Sequence, residues 1–206
     1  MLPLYRFVRG LMAIILKLTG TTYVGQENIP ADKAVIFAAN HSSFGDPILL
    51  ACSLPFQVHF LAKAEFADNS FVRWLFTRFG IVFLKRNDAD LGAIKAALGI
   101  LKTEKPLAMF PEGHRNTHAL GEFKQGATFI AYRAKVKIVP VAIIGARSWT
   151  NPFRRNKKVI IGPPILIEKG SMETAEALTY YTNLLKEQIS KMLEDDLLPL
   201  KSEELK

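Results

Sequence analysis

The sequence predicts a single α/β domain with a mostly parallel central sheet flanked by helices. Short apolar segments rich in β-branched residues alternate with helical segments, an order typical of parallel strands joined by crossover helices. The length of 206 residues suits one domain with a substantial core, and no repeat or linker divides the chain. Apolar residues make up 49% of the sequence, which excludes a disordered chain.

Each predicted strand is an apolar run bounded by glycine, proline or polar residues. The predicted strands, in order, are residues 21–24, 34–39, 58–62, 81–84, 106–110, 138–144 and 158–161.

The predicted helices lie between these strands and after the last one. In the first, Pro47 suits the first helical turn and Asp46 suits the cap before it, and Gly80 closes the second. The predicted helices are residues 47–54, 70–79, 90–102, 123–135 and 175–193. Residues 194–206 form a charged tail that we expect to fray, so residues 21–193 make up the predicted main domain.

The N-terminal segment, residues 1–20, has apolar residues at helical spacing, interrupted by Arg6, Arg9 and Lys17. Its longest run without charge is residues 10–16, too short for a membrane span, which needs about 20 apolar residues. No small-residue cleavage site follows, so it does not read as a signal peptide. Two interpretations stay open: an amphipathic helix at a membrane interface, and a helix that packs on the core.

Three polar loops directly follow predicted strands: residues 40–47 (NHSSFGDP), 85–88 (KRND) and 111–116 (PEGHRN). Ligands of open α/β sheets bind outside the carboxyl ends of the strands. If the strands are parallel, these loops meet at one edge of the sheet. The edge then carries His41, Asp46, Arg86, Glu112 and Arg115.

These residue types favour acid–base chemistry on a phosphorylated alcohol. His41 can take a proton from a hydroxyl while Asp46 orients the imidazole, and no GxSxG serine motif is present. Lys85, Arg86 and Arg115 suit a phosphate, and the formal net charge of +8 favours a negatively charged partner. Alternatively, the turn is only structural, with Asp46 as a helix cap and His41 bonded to backbone.

Four segments resemble the motifs of the HxxxxD glycerophospholipid acyltransferases. NHSSFGD resembles the HxxxxD motif, FPEGHRN the FPEGTR motif, GIVFLKR the block that ends in arginine, and IVPVAI the later apolar block. All four occur in the family's order. The subgroup that the chain resembles most is the bacterial 1-acyl-sn-glycerol-3-phosphate acyltransferases.

The resemblance implies a reaction. A fatty acyl group passes from a thioester of coenzyme A or acyl carrier protein to lysophosphatidic acid, giving phosphatidic acid. In this mechanism His41 is the general base and Asp46 orients it. Transfer is direct, without an acyl-enzyme, a cofactor or a metal.

The resemblance also implies a substrate site. Arg86 and Arg115 grip the acceptor phosphate, Lys63 adds a third contact, and Glu112 contacts the glycerol or positions Arg115. Gly113, in the same motif, belongs to this predicted site. The expected partner is an anionic membrane surface, met by the N-terminal segment on the cytoplasmic face of the cell membrane, and not a nucleic acid.

One departure from the motif leaves the acceptor open, because the family usually has threonine where this chain has His114. The reaction then has a rival acceptor, another lysophospholipid or a lyso-aminolipid. Two further classes are a basic nucleic-acid-binding module, for which no motif is legible, and a lipid hydrolase, for which no nucleophile is found. His114 and His118 would suit a metal only on a helix, and no third ligand has suitable spacing.

Overall fold

The predicted fold class is confirmed by a computed structural model, which describes residues 3–63, 65, 68–84, 91–117, 119–149, 151, 156–168 and 170–203. The strands are β1 (Thr22–Val24), β2 (Val35–Ala39), β3 (His59–Lys63), β4 (Ile81–Leu84), β5 (Leu107–Met109), β6 (Lys137–Ile144) and β7 (Lys158–Ile161). The helices are α1 (Pro3–Leu18), α2 (Asp46–Ser53), α3 (Ser70–Arg78), α4 (Leu91–Lys102), α5 (Gly126–Ala134) and α6 (Thr174–Glu203).

The strands form one seven-stranded sheet in the order β1-β7-β6-β2-β5-β3-β4. Across the sheet from β6 to β4, each strand is parallel to its neighbour, whereas β6 and β7 are antiparallel. The carboxyl ends of β2, β5 and β6 therefore lie at the same edge, with β2 between the other two. We call this edge the C-terminal edge of the sheet.

Strand β2 is buried along its whole length because helices cover both faces of the sheet. Val35, Phe37 and Ala39 point into a core shared with α1 and α2. Ile36 and Ala38 point into a second core, shared with α4, α5 and α6. This double burial explains why the sequence of β2 is continuously apolar instead of alternating.

Two helices have bounds that differ from the predictions by more than one residue. The last helix runs to Glu203, so the prediction that it ends at residue 193 is wrong. Asp196 forms an ion pair with Lys158 of β7, which ties this charged turn to the sheet. Helix α5 begins at Gly126 and not at residue 123, because the Lys124 N–H donates to the Pro111 carbonyl at 2.9 Å.

Helix α1 packs against α2 through one face and exposes the other. Tyr5 and Leu16 are buried, whereas Phe7, Ile14 and Leu18 are 71%, 59% and 75% exposed. The inner face of α1 thus matches the core-packing interpretation. The apolar side chains of its outer face are not covered by any residue that the structure describes. None of the described helices combines the length and hydropathy needed to cross a bilayer.

Arg9 attaches α1 to the C-terminal end of α2. Its guanidinium donates to the carbonyl of Ala51 at 3.1 Å and that of Cys52 at 3.4 Å, and also to the Leu54 carbonyl. Carbonyls in the last turn of a helix have no partner within the helix and carry partial negative charge, so a cation stabilises them. Burial raises the pKa of the neighbouring Cys52 thiol to about 11, so this thiol stays neutral at physiological pH.

We expect the substitution Arg9→Met to lower the free energy of unfolding by about 1–3 kcal/mol, because it removes charge-assisted bonds to partly buried carbonyls. Urea unfolding followed by circular dichroism measures the change. Arg6→Met is the matched control, since Arg6 is an exposed arginine on the same helix. Equal stability of the two variants would contradict the anchoring role of Arg9.

Candidate active site

The loop between β2 and α2 is held to the neighbouring strand by Asn40. Its side-chain amide donates to the Ile143 carbonyl at 3.0 Å, and its amide oxygen accepts from the Ile143 N–H at 2.7 Å. Asn40 thereby continues the pairing of β2 with β6 for one residue beyond the strand. The sequence motif alone does not reveal this role of Asn40, although a polar residue directly after a buried strand is a signal for such a contact.

His41 and Asp46 form the predicted hydrogen bond. His41 Nδ1 lies 2.8 Å from Asp46 Oδ2, and the Asp46 side chain is fully buried. Since an ionised carboxylate only accepts, Nδ1 carries the proton and Nε2, on the opposite side of the ring, bears the lone pair. The His41 side chain is 18% exposed, which leaves part of the ring open to a substrate.

Asp46 also organises the turn that carries His41. The same oxygen, Oδ2, accepts from the backbone N–H of Ser42 at 2.6 Å and of Ser43 at 2.8 Å. The prediction that Asp46 caps α2 is therefore wrong: Gly45 occupies the cap position without a side-chain bond, and Asp46 is the first residue of the helix. Its carboxylate instead accepts from N–H groups that precede the helix.

Gly45 is required by the close approach of the loop after β6. A Cβ atom at this position would lie 2.5 Å from the Ala146 carbonyl oxygen and 2.6 Å from Trp149 Cδ1. Ser43 closes the same contact, since its hydroxyl donates to the Ala146 carbonyl at 3.1 Å. The turn is thus fixed from the β6 side as well as by Asp46.

The loop after β5 fixes His41 from the other side. The His41 N–H donates to Glu112 Oε1 at 2.7 Å, and the His41 carbonyl accepts from the Asn116 N–H at 2.8 Å. Glu112 Oε2 accepts from the Gly121 N–H at 3.0 Å and from the Asn116 side chain. Glu112 is only 2% exposed, so its observed contacts are structural, and its predicted contact with substrate stays a prediction.

Phe110 provides a stacking surface for the His41 ring. The two ring centroids are 4.1 Å apart, and the planes are 18° from parallel. Phe110 directly follows β5, which pairs with β2 in register, and this pairing brings the two rings together. Phe110 is part of the FPEGHRN motif, but its contact with His41 depends on strand order and cannot be read from the motif.

Arg115 reaches back over the His41 turn. Its guanidinium carbon lies 3.6 Å from the centroid of the Phe44 ring, a cation–π contact between two exposed side chains. Gly113 makes the tight bend before it, with φ +75 and the Lys124 side chain alongside. Arg115 is thus held near His41 while its charge stays accessible to an anion.

The remaining predicted residues are only partly placed. Lys63 is the last residue of β3 and its backbone lies at the C-terminal edge, whereas Lys85 and Arg86 lie outside the described residues, as does His118. His114 is exposed, and His59 begins β3 at the opposite edge of the sheet. Within the described ranges, no cluster of three or more metal-ligating side chains exists.

A cavity of about 510 Å³ adjoins the His41 loop, a size within the usual range of ligand sites, roughly 300–1,000 Å³. It lies between the loop after β5, the loop after β6 and the C-terminal half of α6. Its lining combines apolar side chains such as Leu120, Ile144 and Leu193 with Asn116 and Arg147.

Comparison with known proteins agrees with this architecture. The sequence model of a protein family described as Acyltransferase matches residues 20–144. A 1-acyl-sn-glycerol-3-phosphate acyltransferase from Bacillus subtilis is 31% identical over 193 residues, which cover 92% of this chain and 96% of the relative. A Streptococcus pneumoniae protein of the same name is 29% identical over 93% of this chain and 74% of its own length.

A solved structure is similar over most of the chain. The crystal structure of the 1-acyl-sn-glycerophosphate acyltransferase PlsC from Thermotoga maritima superposes with a TM-score of 0.69 at 26% sequence identity. The match covers 91% of this chain and 80% of that one. The family resemblance inferred from the motifs is thus confirmed.

We expect Glu112→Gln to lower the free energy of unfolding by about 1–3 kcal/mol, because a single amide oxygen cannot accept from all the donors that now meet the carboxylate. Chemical unfolding measures the loss. Glu122→Gln is the control, since the Glu122 side chain is 93% exposed and pairs only at the surface with Lys186. If the two variants unfold at the same denaturant concentration, Glu112 does not brace the His41 loop.

Proposed function

Because the chain belongs to the acyltransferase family, we propose that it transfers a fatty acyl group from a thioester to 1-acyl-sn-glycerol-3-phosphate, giving phosphatidic acid. The acceptor is suggested by the names of the relatives from Bacillus subtilis and Streptococcus pneumoniae. The observation that carries the proposal is the His41–Asp46 pair at 2.8 Å, which leaves Nε2 as a proton acceptor at the C-terminal edge.

The proposed chemistry is a direct transfer. His41 Nε2 takes the proton of the free glycerol hydroxyl while the hydroxyl oxygen bonds to the thioester carbonyl carbon. The carbon–sulfur bond then breaks, and the leaving thiolate takes the proton from His41. Asp46 stabilises the imidazolium between these two steps.

The geometry restricts which backbone groups are free to stabilise the oxyanion. The N–H groups of His41, Ser42 and Ser43 donate to carboxylates, and that of Gly45 donates to the Ser43 hydroxyl at 3.1 Å. Among the described contacts of the turn, no hydrogen bond uses the Phe44 N–H. We assign it as the candidate donor to the thioester carbonyl oxygen.

The acceptor phosphate is assigned to Arg115, together with Arg86 and Lys63 by motif resemblance. The Phe44 ring contacts the Arg115 guanidinium, whose carbon lies 3.6 Å from the ring centroid, and this contact reduces the rotamer freedom that Arg115 must lose on binding. The donor carrier is proposed to be coenzyme A or acyl carrier protein, and no cofactor or metal takes part. The adjoining cavity provides room beside His41 for part of a lipid substrate.

The proposed location is the cytoplasmic face of the cell membrane, with attachment through α1. Its outer face presents Phe7, Leu11 and Leu18, which are 71%, 51% and 75% exposed, while Arg6 and Lys17 supply positive charge. A substrate with fatty acyl chains resides in a bilayer, so attachment there would bring the enzyme to its acceptor.

We expect His41→Ala to lower kcat by about 10²–10⁴-fold, because the general base is lost. The assay mixes purified protein with lysophosphatidic acid and a radiolabelled acyl donor, on coenzyme A or on acyl carrier protein, and measures the phosphatidic acid formed. His59→Gln is the control histidine, since it lies at the opposite edge of the sheet and should retain activity. Transfer by His41→Ala at the rate of the control would overturn the base assignment, and no product with wild-type protein would reject this acceptor.

We expect Arg115→Ala to raise the KM for lysophosphatidic acid by about 10- to 100-fold, with a much smaller effect on the KM for the donor. The measurement is steady-state kinetics with each substrate varied in turn. Arg133→Ala, at an exposed position on α5, is the matched control for the loss of one positive charge. Equal losses toward both substrates would show that Arg115 is not a dedicated phosphate contact.

A further inference from the structure

Helix α3 presents an aromatic surface that the proposed mechanism does not use. None of the residues of α3 is buried within the part of the chain that the structure describes. Phe71 and Trp74 are 67% and 48% exposed, and their rings stack with centroids 5.9 Å apart. Large aromatic side chains exposed side by side indicate a surface that meets a partner.

Both charged side chains of α3 are arginines, although the exposed Asp68 lies just before the helix. Arg78 lies over the Trp74 ring, with its guanidinium carbon 5.2 Å from the centroid, and Arg73 lies over Phe83 at 5.5 Å. The sequences of α3 and α1 contain no acidic residue at all. A partner complementary to this surface therefore carries negative charge beside an apolar layer, as a bilayer of anionic phospholipids does.

The C-terminal end of α3 is a neighbour of α1. Tyr5 of α1 contacts Phe79, the residue directly after α3, with ring centroids 5.9 Å apart. Because α3 follows β3 in the chain, its first turn lies toward the C-terminal edge, where β3 ends and where His41 is found. Phe71 and Trp74 occupy the first and second turns.

We propose that α3 is a second membrane-docking element that places Phe71 and Trp74 among the headgroups of an anionic phospholipid bilayer. Tryptophan and phenylalanine suit this depth, because their rings enter the interface while arginines reach lipid phosphates. The inference rests on the proposed function in one respect, that the acceptor is a lipid. Docking through both helices brings the bilayer surface to the entrance of the site.

Tryptophan fluorescence tests the proposal without measuring catalysis. The chain has two tryptophans, so Trp149→Phe leaves Trp74 as the only emitter. The variant is mixed with vesicles of phosphatidylglycerol and phosphatidylcholine, with or without bromine on the acyl chains. We expect the emission of Trp74 to shift to shorter wavelength on vesicle binding and to be strongly quenched by bromine. Both effects should be weaker with vesicles of phosphatidylcholine alone. Unshifted, unquenched Trp74 emission from protein that sediments with the vesicles would overturn the proposal, since α1 would then dock without α3.

The reciprocal variant provides the control. Trp74→Phe leaves Trp149, which is half-buried against Gly45, and its emission should not be quenched. Folding of each variant is checked by circular dichroism. If Trp149→Phe does not fold, vesicle sedimentation of the double variant Phe71→Ser, Trp74→Ser decides instead. It should sediment less than Tyr180→Ser, which removes an aromatic ring 53% exposed on α6.

Other occupants of the surface give different results. A dimer interface predicts that the double variant becomes monomeric in sedimentation velocity while vesicle binding persists, and this overturns the proposal. An acidic carrier protein predicts unchanged vesicle binding with loss of carrier-dependent transfer only, which also overturns it. Quenching of Trp74 in a protein that shows no acyl transfer would reject the proposed function and leave the docking surface standing.

Discussion

The structure of the site depends on one carboxylate oxygen, Oδ2 of Asp46. It accepts from His41 Nδ1 and from the N–H groups of Ser42 and Ser43, all within 2.8 Å. The turn and the imidazole are thereby oriented by the same buried charge. A buried anion is costly without hydrogen-bond donors, and all three donors to Asp46 meet this one oxygen, so the backbone of the turn and the histidine tautomer are determined together.

Strand order explains why this turn is supported from both sides. Because β2 lies between β6 and β5, its loop meets the loops of both neighbours at the C-terminal edge. Asn40 bonds toward β6, and Glu112 and Asn116 bond toward the backbone of His41 from the β5 side. The HxxxxD and FPEG segments are therefore one hydrogen-bonded unit, although their histidine and glutamate are 71 positions apart.

The strands, most of the helices and the meeting of the His41 and Glu112 loops could be predicted from apolar runs and parallel topology. Three features could not, because each depends on tertiary partners. Asp46 resembles a helix cap until the preceding N–H groups are seen to turn toward it. Phe110 stacks on His41 only because β5 pairs with β2. The charged end of α6 remains helical where Asp196 meets Lys158.

Helix α2 joins two of these features mechanically. Arg9 of α1 holds its last carbonyls, and Asp46 is its first residue. A helix of eight residues is about 12 Å long and too short to bend appreciably. It therefore forms a short rigid connection between α1 and the carboxylate that aligns His41. The helix with the exposed apolar face and the imidazole of the site are therefore linked through one short rigid element.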